Sequence, residues 1–134
     1  MILIKAKPRG CDDYGCGHFG ASRGKRVHKG VDYCTEVGDE ICANVTGRVS
    51  KLGYTYSDDL SYRYVEITDA KSNRHRFYYV SPSLRVGDIV SVGETIGCAQ
   101  DIAKRYTKNG IMKNHVHYEI IDKNGEYVNP EAGN

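Results

Sequence analysis

Asn114-His115-Val116-His117-Tyr118-Glu119-Ile120-Ile121 reads as a β-strand, and its reading decides the fold. Alternate side chains of a strand share a face, so His115 and His117 project together. Two imidazoles on one strand face are hard to bury without a partner. The complementary stretch is His28-Lys29-Gly30-Val31-Asp32. In a straight strand, positions i and i+4 lie about 13 Å apart, too far for a common ligand. In a helix they meet, but Gly30 and β-branched Val31 disfavour a helix. An extended segment bent at Gly30 folds Asp32 back toward His28. Imidazole nitrogens and a carboxylate oxygen are donors that a borderline divalent ion such as zinc accepts. With one His left off the ion, three ligands and an open position remain, the arrangement of a catalytic zinc site. The competing readings are a chance HxxxD and a polar surface ladder for HxH.

The 134 residues suffice for one domain, 1–134, with a proper core. Nineteen basic and 17 acidic residues nearly balance, so no charge field points to nucleic acid. No run approaches the length of a membrane span. The first residues lack the pattern of a secretory signal. Synthesis in the cytoplasm is therefore the expectation, and either export uses another route or a signal has been removed.

Fifteen glycines and many short apolar runs favour an all-β fold. Expected strands are 2–6, two around Val37–Ala43 and Thr46–Gly53, a hairpin of 63–68 and 75–80, and one ending near Val128. Val37-Gly38-Asp39 and Val86-Gly87-Asp88 mark two related turn-and-strand units. One short helix is expected over 101–106, with Asp101 as N-cap. His18 reads as a loop histidine and His75 as one at the hairpin's edge. Asp58-Asp59 reads as a loop tip, and Arg23, Lys25 and Arg26 as a solvated face or an anion-binding rim. Eleven tyrosines without tryptophan suggest a wet aromatic groove. Of five cysteines, Cys11 and Cys16 enclose a small loop that a disulfide could close, with metal binding the rival reading.

HxxxD and HxH in that order, about 80 residues apart, frame Gly87-Asp88-Ile89-Val90-Ser91-Val92-Gly93-Glu94-Thr95-Ile96-Gly97. With these motifs the chain resembles the M23 zinc metallopeptidases of the lysostaphin and LytM type, which cut peptide bonds in bacterial peptidoglycan. The resemblance implies an antiparallel β-sandwich or half-barrel with long loops. It implies Zn2+ held by His28, Asp32 and His117, with His115 handling protons. It implies a peptidoglycan peptide as substrate of a phage or bacterial cell-wall lysin, acting in the periplasm or wall as a monomer. Active members carry one further histidine in a Tyr-x-His segment, and the resemblance sets Val80 there; Tyr78 and Tyr79 are then candidates for substrate or oxyanion contacts. The N-terminal third, from Cys11 to Cys34, is also similar to the leukocyte cell-derived chemotaxins. Those share the fold and the zinc but are regarded as binding proteins, and the similarity implies a Cys11–Cys16 bridge. The alternative expectation is thus a catalytically weak or inactive zinc module that binds a peptide, glycan or protein.

Overall fold

The computed structural model describes residues 10–12, 15–23, 26–106 and 112–131. The expected strand at 2–6 lies outside them, as do the side chains of Arg23, Lys25 and Arg26. The strands in chain order are β1 (Cys11–Asp12), β2 (Gly15–Cys16), β3 (Ser22–Arg23), β4 (Arg26–Val27), β5 (Val31–Cys34), β6 (Glu40–Cys42) and β7 (Gly47–Tyr54). They continue with β8 (Arg63–Thr68), β9 (Arg74–Tyr78), β10 (Val80–Pro82), β11 (Ile89–Val90) and β12 (Thr95–Ala99). The helix α1 (Ala103–Tyr106) precedes β13 (His115–Ile121) and β14 (Tyr127–Val128).

Seven strands form the main antiparallel sheet in the order β11-β7-β8-β9-β13-β14, with β5 beside β14 on the outer edge of β13. A second sheet, β10-β12-β6, packs on it, and β1-β2 and β3-β4 form two small ribbons. No barrel closes, and the sandwich expectation holds. Val65, Ile67, Phe77, Val116 and Tyr118 point inward from the main sheet, and Ile41, Val80, Ile96 and Ala99 join them in one core. On its other face β8 buries Tyr64 and Glu66 beneath long neighbouring side chains: Lys51 and Arg76 lie over the Tyr64 ring, and Arg76 donates to Glu66.

The Val-Gly-Asp units share one geometry. The Asp39 carboxylate accepts the Glu36 N–H at 2.8 Å, and the Asp88 carboxylate accepts the Arg85 N–H at 2.9 Å. Gly38 and Gly87 take positive φ, 89° and 97°, which a side chain would resist. A third copy went unread in the sequence because it ends in Glu: Glu94 accepts the Ser91 N–H at 2.8 Å. The helix forms as expected, and the Asp101 carboxylate caps the Lys104 N–H at 3.1 Å. Asp58 pairs with Arg105 and Asp59 accepts from Ser61, as a loop tip would.

Two expectations change. The second hairpin strand does not run through residue 80: it stops at Tyr78, Tyr79 takes φ 69°, and Val80 starts a strand in the other sheet. His75 is buried within the hairpin rather than lying at its edge. Its Nε2 stands 2.9 Å from Asp69 Oδ2 and its Nδ1 2.6 Å from the Tyr118 hydroxyl.

Burial lowers the pKa of His75 more than the Asp69 hydrogen bond and charge raise it. Burial would raise that of Asp69, but hydrogen bonds from His75, Asn73 and Lys71 take it below the ordinary value. Both groups bind protons less readily folded than unfolded, so each favours folding at higher pH. Their contribution is full above the unfolded imidazole pKa of 6.5 and drains as pH falls through that value toward the acid range. Between pH 7.5 and pH 5, His75→Gln should therefore lose less stability than the wild type does. Urea midpoints of both proteins at the two pH values check this.

Candidate metal centre

Backbone pairing between β5 and β13 builds the site. His117 stands opposite Asp32 in that register and opposite Tyr78 of β9 on its other side. His115 and His117 project from one face of β13, away from core residues Val116 and Tyr118. His28 arrives from the loop before β5, where the chain bends at Gly30. The bend carries out the fold-back expected from the sequence: His28 Nε2 lies 3.1 Å from Asp32 Oδ1. Gly30 is required here for space. A Cβ would stand 2.3 Å from the Tyr118 carbonyl oxygen and 2.8 Å from Cε1 of His117.

Three atoms form a nearly equilateral triangle. His28 Nε2 and His117 Nδ1 are 2.9 Å apart, and His117 Nδ1 is 2.9 Å from Asp32 Oδ1, which closes the figure with the 3.1 Å side. Tetrahedral zinc with ligands at 2.0–2.1 Å sets its donors about 3.3 Å apart. The triangle is a little tighter than that and fits such an ion with small outward shifts. The far nitrogen of each imidazole is already tied: His28 Nδ1–H donates to the His18 carbonyl at 2.9 Å, and His117 Nε2 meets Glu119 Oε1 at 2.9 Å. These bonds leave His28 Nε2 and His117 Nδ1 for the centre. The His18 side chain itself is exposed, as expected of a loop histidine.

His115 is the fourth member. Its Nδ1–H donates to the Lys113 carbonyl at 2.8 Å, so the basic Nε2 faces Asp32 Oδ2 at 3.6 Å. Asn114 holds this corner: its side chain accepts the Ile102 and Ala103 N–H groups and donates to the Gln100 carbonyl. Burial opposes ionisation of Asp32, but hydrogen bonds from His117 and His28 and the nearby imidazoles hold its carboxyl well below the usual range. Burial alone would lower His117. Its bonds to Asp32 and Glu119 outweigh that and push it up to about 9.

The aromatic surroundings differ from expectation. Val80 is wholly buried in the core and does not face the imidazoles. The positive φ at Tyr79 interrupts strand alternation, so Tyr78 and Val80 point to opposite sides of the main sheet. Tyr78 meets His117 edge-on with 5.4 Å between ring centres, and Tyr79 meets His115 likewise at 5.4 Å. Tyr79 is fixed by its N–H to the Arg63 carbonyl and by its carbonyl to the Gln100 N–H, both at 2.9 Å. The Tyr56 hydroxyl bonds those of Tyr79 and Tyr106. Among the described residues, His18 and His75 are the remaining histidines; the first is exposed and the second is tied to Asp69 and Tyr118. Cys11 and Cys16 are register partners in β1 and β2, but the expected bridge falls on side chains outside the described residues. Cys42 and Cys98 carry free thiols.

Residues 26–130, which include all four site residues, match peptidase family M23. The chain belongs to this family. It is 30% identical over 114 residues to leukocyte cell-derived chemotaxin-2 of Mus musculus, covering 85% of this chain and 73% of that protein. Its fold is that of the catalytic domain of the prophage-encoded M23 protein EnpA from Enterococcus faecalis, in a mutant form. That match has a TM-score of 0.65 at 23% identity and covers 90% of this chain and 91% of the other. It is likewise similar to a zinc-containing peptidase from Vibrio cholerae, with a TM-score of 0.63, 19% identity, and 94% and 39% coverage.

Gly30→Ala should push the bend away from β13 and open the triangle. The expected result is a stability loss of about 1–3 kcal/mol, the usual range for overpacking, together with weakened zinc binding. Denaturant melts and zinc titration of the purified variant read both effects.

Proposed function

We propose that this domain is a zinc endopeptidase acting on peptide bonds of bacterial peptidoglycan. The observation that carries the reading is the triangle of His28 Nε2, Asp32 Oδ1 and His117 Nδ1 beside the basic nitrogen of His115. His28, Asp32 and His117 would hold the ion; when bound, zinc polarises the scissile carbonyl and acidifies the attacking water. His115 Nε2 takes the proton of that water and returns it to the leaving amine. The Lys113 carbonyl keeps the imidazole in the tautomer this needs. Of the two tyrosines, Tyr78 turns its hydroxyl toward Glu119 and Arg76, at 3.4 and 3.5 Å. Tyr79, whose ring packs against His115 and whose hydroxyl bonds that of Tyr56, is our choice of donor for charge developing on the carbonyl oxygen. Expected substrates are stem or cross-bridge peptides, lying along the tyrosine-lined face.

A second reading has its own support. Val80, where the resemblance sets a further histidine, is buried in the core, and the chemotaxin relative is similar over most of both chains. A zinc module that holds a peptide, glycan or protein without cutting it would need the triangle but not His115.

Incubating the zinc-loaded protein with purified sacculi separates the two. The peptidase should release new amino termini, and His115→Ala should abolish release while zinc content and melting temperature hold. Tyr79→Phe should slow release by on the order of 10²-fold, the loss that accompanies removal of one oxyanion donor, and Tyr78→Phe should slow it less. Intact sacculi with the zinc-loaded wild type would favour the binding module.

A further inference from the structure

Behind the metal triangle, a row of charges crosses the open face of the main sheet. Glu119 of β13 stands opposite Arg76 of β9, Arg76 opposite Glu66 of β8, and Glu66 opposite Lys51 of β7. The signs alternate along the row. Glu66 and Glu119 are each only 6% exposed. Buried carboxylates are costly to keep, and apolar residues of similar size generally serve stability as well or better. Glu119 lies against a residue of the metal triangle, which points to a role there.

The atoms define that role. Glu119 uses its two oxygens differently. Oε1 lies 2.9 Å from His117 Nε2, whereas Oε2 faces the Tyr78 hydroxyl at 3.4 Å and Arg76 Nη1 at 3.6 Å. Arg76 is in turn fixed by Nε–H donation to Glu66 Oε1 at 3.0 Å, and Glu66 Oε2 accepts the Ser50 hydroxyl at 2.9 Å. The row thus ends on the nitrogen of His117 that points away from the triangle. We propose that Glu119, clamped by Tyr78 and Arg76, is a positioning residue that orients His117 and makes its Nδ1 a stronger donor to a divalent ion. Glu66 braces Arg76 and acts one step further out. The inference rests on the zinc reading above and adds to it the residue that sets affinity.

Zinc binding to the full chain, measured by competition with a chromogenic chelator, tests it without reference to activity. Glu119→Gln should weaken zinc binding by about 10–100-fold, the range seen when the outer partner of a histidine ligand is altered. Glu66→Gln removes a carboxylate of equal burial from the same row and should change zinc binding far less. The cobalt-substituted Glu119→Gln protein should show a shifted visible spectrum, which loss of stability alone would not produce. Should Glu119→Gln fail to fold, Glu119→Asp, which withdraws the carboxylate by one methylene, carries the same expectation. Equal zinc affinities for wild type and the Glu119 variant, or equal losses for the Glu119 and Glu66 variants, would overturn the role of Glu119 and leave the metal site standing. A wild-type chain that takes up no zinc would remove both.

Discussion

The register between β5 and β13 is the constraint on which the site depends. It places Asp32 directly across from His117, residues 85 positions apart in the chain. Side chains alternate with period two, so a slip of one residue would turn His115 and His117 into the core and Val116 and Tyr118 out of it. The apolar half of β13 thereby enforces the polar half. Val116 and Tyr118 are fully buried against Phe77 and its neighbours, and that burial opposes any other alignment.

Polar contacts complete what the register begins. Each imidazole is held by a second bond on its far side: His28 by a backbone carbonyl, His117 by Glu119, His115 by the carbonyl of Lys113. Bonds of this kind fix both ring orientation and tautomer, so the remaining nitrogens converge on one volume without further adjustment. The close approach of Gly30 to His117 and to the Tyr118 carbonyl locks the bend to the same strand. The centre is therefore supported by rigid strands on two sides and by a glycine contact on the third. The span that matches the family, residues 26–130, contains the triangle and His115.

The pocket wall beside His115 has a different origin. The chain leaves the main sheet at Tyr79 and enters the smaller one at Val80. The left-handed backbone at Tyr79 costs energy for a residue with a side chain, and the Arg63 and Gln100 hydrogen bonds offset it. The turn between sheets thereby sets a phenol ring against the imidazole of His115 and sends Val80 into the core.

Much of this was legible in the residues. Period-two spacing alone puts His115 and His117 on one face, and the glycine in His28-Lys29-Gly30-Val31-Asp32 signals the bend. The same spacing, extended one step, reaches Glu119, so its place beside His117 could have been read from the strand. Other features could not. Nothing local marks Tyr79 for positive φ, since it is neither Gly nor Asn; only bonds from two other segments hold it there. Strand alternation carried across that residue gives Val80 the wrong side of the sheet. The burial of His75 depends on Asp69 and Tyr118, 43 positions away from the latter. Local periodicity determined which side chains share a face, because it follows from the backbone repeat. Which faces meet, and where the chain departs from the repeat, was decided by tertiary hydrogen bonds and core packing that no short stretch encodes.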